Sequence, residues 1–368
     1  MRKIDRLHHI CLTVTSENFA TEWPKMLGFY TDFLRMNAYK VAVEEMDQET
    51  SLQSLEDGLG LGKQVPQVFD EDGHMVLEYF YYLAGEDLSE TACLIDIIVF
   101  LTEPGQLTQP HSNMHTMGLR SFSLLVDNVD AVYERGIAEG HEFVSAPTTQ
   151  TWGDLGEVRY VVVKDPAGNH VELVQTDEVT DLGDGSPLRI FSINQNTVDM
   201  EKALAFYSEG SGMRVEVRAE LSGTDFATST GTPDNASASL CLLKGENTEA
   251  KTFYALTQWH EPVCKMQELA DGHTTSYYRM WHWIKGNTEG VQEVWDRMAP
   301  QMQVAATPPF VYPSPKPWGD VTMAFFLDND GVLQEFANHV DGTWRGLEEI
   351  LDHEDHRDRF TLRGSRAK

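Results

Sequence analysis

Asp165-Pro-Ala-Gly-Asn-His-Val-Glu172 and Asp328-Asn-Asp-Gly-Val-Leu-Gln-Glu335 are one unit written twice. In both, glycine follows the aspartate by 3 residues (168 − 165, 331 − 328) and glutamate follows it by 7 (172 − 165, 335 − 328). Both come after a Trp-Gly-Asp triplet, Trp152 to Asp154 and Trp318 to Asp320, and a strand-forming run, Val158 to Val163 and Val321 to Leu327. In Asp165-Pro-Ala-Gly168 the φ-restricted and φ-permissive residues stand in the order of a tight hairpin turn. An internal period of this kind bears on the architecture before any single motif does.

Working outward, Phe29-Tyr30 followed by Met36 returns as Phe206-Tyr207 followed by Met213, with 6 residues from Tyr to Met in each. Each closes a helical stretch and leads into an alternating strand, Tyr39 to Glu45 and Arg214 to Arg218. The chain therefore reads as four modules in the order A, B, A′, B′, each a strand, a helix and two or three further strands. The expected first strands are Leu7–Val14, Leu119–Val126, Leu188–Asn194 and Tyr278–Ile284. The expected helices are Phe19–Met36, Val129–Glu139, Asp199–Glu209 and Val291–Met298. Asp127-Asn128 and Asn196-Thr197 offer side-chain oxygens near two helix starts, where backbone amides lack acceptors.

The 368 residues carry 28 Lys+Arg against 58 Asp+Glu, a net charge of −30 that repels phosphate backbones and anionic headgroups. Nucleic acid and membrane surfaces are excluded as partners on that ground. The 41% apolar fraction, with 8 Trp, 17 Phe and 12 Tyr spread along the chain, supports a real core. Cys93 to Leu101, the longest apolar stretch, is interrupted by Asp96 and falls far short of the ~20 residues that cross a bilayer. The polar start, with Asp5-Arg6 and His8-His9, does not read as a secretory signal, so a cytoplasmic protein is expected. Cys11, Cys93, Cys241 and Cys264 lie far apart with no CxxC pair, which excludes a zinc knuckle or dithiol motif.

Gly118-Leu-Arg-Ser-Phe-Ser-Leu-Leu-Val-Asp-Asn-Val-Asp-Ala-Val and Asp165-Pro-Ala-Gly-Asn-His-Val-Glu-Leu resemble the first and terminal strands of the vicinal oxygen chelate superfamily. That superfamily includes glyoxalase I, bleomycin resistance proteins and extradiol dioxygenases. With modules A, A′ and B′ matching more loosely, the resemblance covers roughly residues 5 to 340. It implies an α+β fold in which four βαβββ modules pair into two half-open mixed β-barrels. Residues 1–180 would form an N-terminal barrel (modules about 5–105 and 116–178) and residues 181–340 a C-terminal one (about 187–262 and 274–339), followed by a tail, 341–368. Trp344, Leu347, Ile350 and Leu351 lie at helical spacing in that tail, which would pack on a barrel or on a second subunit as a homodimer.

The resemblance also implies a divalent metal ion, Fe2+, Mn2+, Mg2+ or Zn2+, held by first and last strands. Alternation along a half-buried strand sends Ile10, Leu12 and Val14 beneath the helix and His9, Cys11 and Thr13 to the barrel. His9 matches the family's first-strand ligand, Ser121 the same position in module B, and Glu172 and Asp96 the last-strand carboxylates. The expected first barrel thus offers His9, Asp96 and Glu172 to the metal, with Asp96 or Glu172 as base. Ser121, Ser123, Cys11 and, from the aromatic run Tyr79-Phe-Tyr-Tyr82, Phe80 would face the substrate. Asp96 is also notable on physics alone, because a carboxylate in an apolar strand is costly unless paired or metal-bound. The second barrel offers Ile190, Tyr254, Arg279 and Glu335, which lacks convergent lone pairs and reads as structural. An Arg279–Glu335 ion pair would fill its mouth. Ser121 stands where the family commonly has histidine, with His111 and His115 upstream as replacements.

Three functions fit these residues. One is a metal-dependent isomerase or lyase of glyoxalase type, acting on a small molecule chelated through adjacent oxygens. Another is an extradiol dioxygenase using Fe(II) and O2. The third is a metal-free small-molecule binding protein.

Overall fold

In β7 (Gly118–Val126) every residue is buried, because Leu119, Phe122 and Leu124 enter one core while Ser121 and Ser123 enter a second, separate space. That two-faced burial recurs in the strands Ile4–Ser16 and Pro187–Asn196. The computed structural model describes residues 3–16, 25–42, 46–47, 74–75, 78–84, 92–101, 113–264, 276–284, 288–301, 306–312, 320–341 and 360–363.

Module A contributes β1 (Ile4–Ser16), a π-helical segment (Phe29–Phe33), β2 (Asn37–Ala42), the short β3 (Met46–Asp47) and β4 (His74–Met75), β5 (Glu78–Leu83) and β6 (Leu94–Leu101). Module B adds to β7 the helix α1 (Val129–Glu139), then β8 (Thr148–Thr151), β9 (Glu157–Lys164) and β10 (His170–Thr176). Module A′ has β11 (Pro187–Asn196), α2 (Met200–Leu204) continuing into a π segment (Ala205–Gly210), β12 (Arg214–Ser222), α3 (Thr224–Thr230), β13 (Ser237–Lys244) and β14 (Phe253–Glu261). Module B′ has β15 (Ser276–Ile284), α4 (Thr288–Met298), β16 (Ala306–Tyr312), β17 (Val321–Leu327) and β18 (Leu333–His339); a last strand, β19 (Phe360–Arg363), follows.

These strands form two mixed sheets, and the modules they join are not sequence neighbours. Sheet I runs β16-β17-β18-β15-β1-β6-β5-β2-β19 and unites A with B′; sheet II runs β12-β13-β14-β11-β7-β10-β9-β8 and unites A′ with B. The expected division into barrels 1–180 and 181–340 is therefore corrected. β1 pairs antiparallel with β15, and β7 with β11. A backbone ladder is nearly blind to side-chain identity, so a repeated sequence does not say which copy pairs with which. Sequence neighbours do associate, but through their helix-facing sides. One apolar core takes Ile10 and Leu12 from β1, Phe122 and Leu124 from β7, Ile193 from β11 and Phe336 from β18.

The two π segments each swing a tyrosine across that core. Tyr30 Oη donates to Asp165 Oδ2 at 3.1 Å, and Tyr207 Oη to Asp328 Oδ2 at 2.6 Å. Those aspartates head the repeated turns. Asp165 Oδ1 accepts from the amides of Ala167 and Asn169, and Asp328 Oδ1 from those of Asp330 and Val332. Gly168 and Gly331, at φ 92° and 77°, supply the left-handed residue the turn needs.

Asn128 caps α1 by accepting from the Ala131 amide at 3.1 Å. α2 is capped by Asp199, which accepts from the Lys202 amide, whereas Asn196 instead donates to the carbonyls of Met114 and Thr116. Part of the tail is a strand rather than a helix, since Phe360–Arg363 pairs antiparallel with β2 at the edge of sheet I. Trp344, Leu347, Ile350 and Leu351 lie outside the described residues. Among the described residues no helix is long and apolar enough to cross a membrane, and the four cysteines are buried and form no disulfide.

Candidate metal centre

Sheet II closes on itself where the loop after β8 meets β12. Gly153, at φ 51°, passes so near that a Cβ there would stand 2.0 Å from the Arg218 carbonyl oxygen. The space enclosed is filled. Trp152, Tyr160, Phe191, Leu240, Phe253 and Trp259 form its own apolar core. Phe226 of α3 stacks on Trp259 at 5.1 Å, and Gln150 Nε2 of β8 ties to Ser229 Oγ at 2.7 Å.

Within that filling lies Glu172, 3% exposed and already saturated. Its Oε1 accepts from Arg120 Nη2 at 2.6 Å and Ser121 Oγ at 2.5 Å, and its Oε2 from Ser123 Oγ at 3.1 Å. Asn194 Nδ2 donates to both serine oxygens at 2.9 Å, and Ser192 Oγ lies 3.0 Å from Ser123 Oγ. Arg120 reaches the carboxylate because it is the extra residue of a β-bulge: Ser121 faces Asn194 and Leu119 faces Gln195, which leaves Arg120 no residue opposite in β11. Burial, reinforced by the charge of Glu172, pushes the Tyr160 phenol well above its ordinary pKa.

Sheet I carries the matching positions with different side chains. His9 and Cys11 are 1% and 0% exposed, on the face of β1 opposite Ile10 and Leu12. β6 sets Asp96 in register with Cys11, as β10 sets Glu172 in register with Ser123. On the other side of β1, its neighbour β15 places Trp281 opposite both His9 and Glu335, and Glu335 is fully buried. His8 is again the extra residue of a bulge, since Leu7 and His9 face His282 and Trp281. Its Nδ1 lies 2.7 Å from His9 Nδ1, so one ring carries the proton between them. Burial, with smaller contributions from the charges of Arg6 and His339, holds His8 well below the usual histidine pKa.

The structure thus separates the ligand set expected from sequence. His9, Asp96 and Cys11 stay together in sheet I, while Glu172, Ser121 and Ser123 belong to sheet II and are joined to one another. Glu335, read in the sequence as part of a structural barrel, shares sheet I with His9 and Asp96. The side chains of Asp96, Phe80 and Arg279 lie outside the described part, so the Arg279–Glu335 pair does too. Ile190 and Tyr254 point into the shared core, and the residue in register with Ser192 is Phe253. His115 packs edge-on to Trp259 at 6.0 Å, in sheet II; His111 lies outside the described residues. Among the described residues no three His, Cys, Asp or Glu side chains converge as a metal cage. Arg120, Ser192 and Asn194 were missed in the sequence, because only the bulge and the β7–β11 pairing bring them to Glu172.

Paired modules whose first and last strands face an enclosed space define a glyoxalase-like fold. Residues 6–173 match the model of the Glyoxalase/Bleomycin resistance protein/Dioxygenase superfamily, and a likeness of fold to solved structures extends over 95% of the chain. Glyoxalase I from Zea mays superposes with a TM-score of 0.57 at 14% identity, over 95% of this chain and 97% of that one. A Bacillus subtilis protein with a dioxygenase assignment gives 0.53 at 14% identity, over 98% and 96%. At such identities the likeness concerns the fold. Among curated protein sequences none matches the chain.

Proposed function

We propose that the chain is a divalent-metal-dependent enzyme of glyoxalase, isomerase or lyase type with its site in the sheet I barrel, where His9, Asp96 and Glu335 would hold the ion. The observation that carries this reading is the register: β1, β6 and β18 offer one imidazole and two carboxylates at the strand positions that sheet II fills with Ser121, Ala255 and a Glu172 paired to Arg120. One imidazole with two carboxylates is a hard, oxygen-rich donor set suited to Mn2+, Mg2+, Fe2+ or Zn2+. A bound ion would act as a Lewis acid toward two neighbouring oxygens of a small substrate, favouring an enolate or alkoxide.

The chain's own residues do the rest. The buried sheet I face excludes water from Glu335 and strengthens every charge interaction there. His8 and His9 share a proton at Nδ1, which fixes the His9 ring and leaves its other nitrogen directed elsewhere. Asp96 or Glu335, whichever is less tightly engaged, would take the substrate proton.

Metal analysis of protein purified without chelators tests the reading. One equivalent per chain is expected, lost in His9→Ala and Glu335→Gln and retained in Glu172→Gln. A wild type that carries no ion and takes up none on titration with Mn2+ sinks it. Iron with O2 consumption on catechols would move the chain to the ring-cleaving dioxygenases.

A further inference from the structure

The sheet II barrel has the strand positions of a metal centre and a donor set that does not fit one. Glu172 stands at the last-strand position, but both its oxygens are occupied, and a positive charge already faces it. Arg120 and Glu172 are 6% and 4% exposed, so the pair is removed from solvent. The guanidinium is otherwise poorly served: Nη1 reaches the Met114 sulfur at 2.9 Å, and Nε has no hydrogen-bond partner among the described residues. Thioether sulfur is a weak acceptor, so hydrogen-bond geometry does not explain an arginine here. Charge does. The bulge that places the Arg120 guanidinium in β7 places an imidazole, that of His8, in β1, so the two barrels differ in chemistry at one structural position.

We propose that Arg120 is the resident cation of the sheet II barrel, a tethered substitute for a metal ion that confines this barrel to a structural role. Without the guanidinium, Glu172 would be a buried carboxylate ringed by the hydroxyls of Ser121, Ser123 and Ser192 and the Asn194 amide. That is a site for a hard divalent ion, because an uncompensated buried charge recruits a counter-ion or unfolds its surroundings. The restriction to one metal per wild-type chain rests on the proposed function; the gain on removing Arg120 does not.

The experiment compares Mn2+ stoichiometry and thermal stability in wild type, Arg120→Ala, Arg120→Lys and Arg120→Ala/Glu172→Gln, all as full-length chains. Arg120→Ala is expected to bind one more Mn2+ per chain than wild type and, at 100 times its Kd, to gain about 5 °C in Tm beyond the wild-type response. Arg120→Lys keeps the wild-type count, and the double variant loses the gain. Equal counts in wild type and Arg120→Ala overturn the proposal. A count of zero in wild type with one in Arg120→Ala removes the proposed function and leaves this inference standing. If Arg120→Ala folds only when refolded with Mn2+, the proposal is supported; if Mn2+ does not rescue it while the double variant folds, it is overturned. Failure of both variants to fold assigns Arg120 to packing and overturns it equally.

Discussion

Replacing Tyr207 by Phe removes one hydroxyl donor from Asp328 in the shared core, and the cost should depend on pH. Tyr207 Oη and Gln195 Nε2 each donate to Asp328 Oδ2 at 2.6 Å, while the amides of Asp330 and Val332 hold Oδ1. Burial, with the nearby Asp330 charge, pushes the Asp328 pKa from 3.8 up to about 6. A raised folded-state pKa means a stabilising contribution fully present below 3.8 and lost as pH rises through about 6; the displacement is worth about 3 kcal/mol. The Tyr207 bond opposes that loss, since it favours the ionised form. At pH 8 it is a hydrogen bond to a charged group, and Phe should cost about 2–3 kcal/mol; at pH 5, with Asp328 largely protonated, about 1 kcal/mol. Ring packing is conserved, since the 4.8 Å contact with Tyr254 needs no hydroxyl. Urea unfolding at both pH values, with unchanged m, measures the difference. An equal loss at the two pH values, or a larger one at pH 5, refutes the reasoning. Tyr30→Phe should repeat the trend more weakly at Asp165, also raised to about 6, because the Tyr30 bond is longer, 3.1 Å against 2.6 Å for Tyr207.

Other consequences follow from sheet II. Gly153→Ala sets a Cβ against the Arg218 carbonyl at a left-handed φ and should cost at least about 2–3 kcal/mol by thermal unfolding; a neutral substitution would mean the barrel does not close there. Ser123→Cys/Ser192→Cys places two thiols where the hydroxyl oxygens are 3.0 Å apart, so mild oxidation should form a disulfide between modules B and A′, seen as a shift on non-reducing gels; no cross-link argues against the β7–β11 ladder. Ser121→His supplies the histidine that the sequence lacks at this position, yet metal content should stay at the wild-type value, since the ring enters a filled barrel beside Arg120 and costs about 1–3 kcal/mol in overpacking. A metal gain dependent on His9 would contradict the module pairing.

What could be read in the sequence was local and periodic. α1 begins and ends at Val129 and Glu139 as its pattern predicts, β17 covers Val321–Leu327, and the two turns around Asp165 and Asp328 share one hydrogen-bond plan. The division of β1 into a core face, Ile10 and Leu12, and a barrel face, His9 and Cys11, was also visible, because alternation has a period of two. Bulges break that period without a sequence mark. Arg120 and His8 each occupy one, and the extra residue lets Arg120 join the Ser121 side of its strand. The one-residue misreading of β14 has another origin: Tyr254 carries no mark of register, and only the ladders through β11 show that Ala255 holds the place of Glu335. The partition of the site between barrels was out of reach for another reason, since strand ladders join copies that the repeat makes interchangeable.

That partition has a mechanical consequence, because two kinds of linkage cross. Ladders bind A to B′ and A′ to B, while the Tyr30–Asp165 and Tyr207–Asp328 bonds bind A to B and A′ to B′. Each module is therefore held by one neighbour through its backbone and by another through its core. Between the sheets the polar links continue: His282 Nε2 bonds Gln334 Oε1 at 2.7 Å, Gln334 Nε2 donates to Tyr254 Oη at 3.4 Å, and Tyr254 Oη donates to Gln195, which donates to Asp328. With Gln334 accepting from His282 and giving to Tyr254, every donor in the series points toward the Asp328 carboxylate. The aligned dipoles favour its charge, so the series offsets part of the burial penalty that raises its pKa. His282 and Gln334 come from sheet I and Tyr254 and Gln195 from sheet II, so breaking the series anywhere loosens the contact between the two sheets.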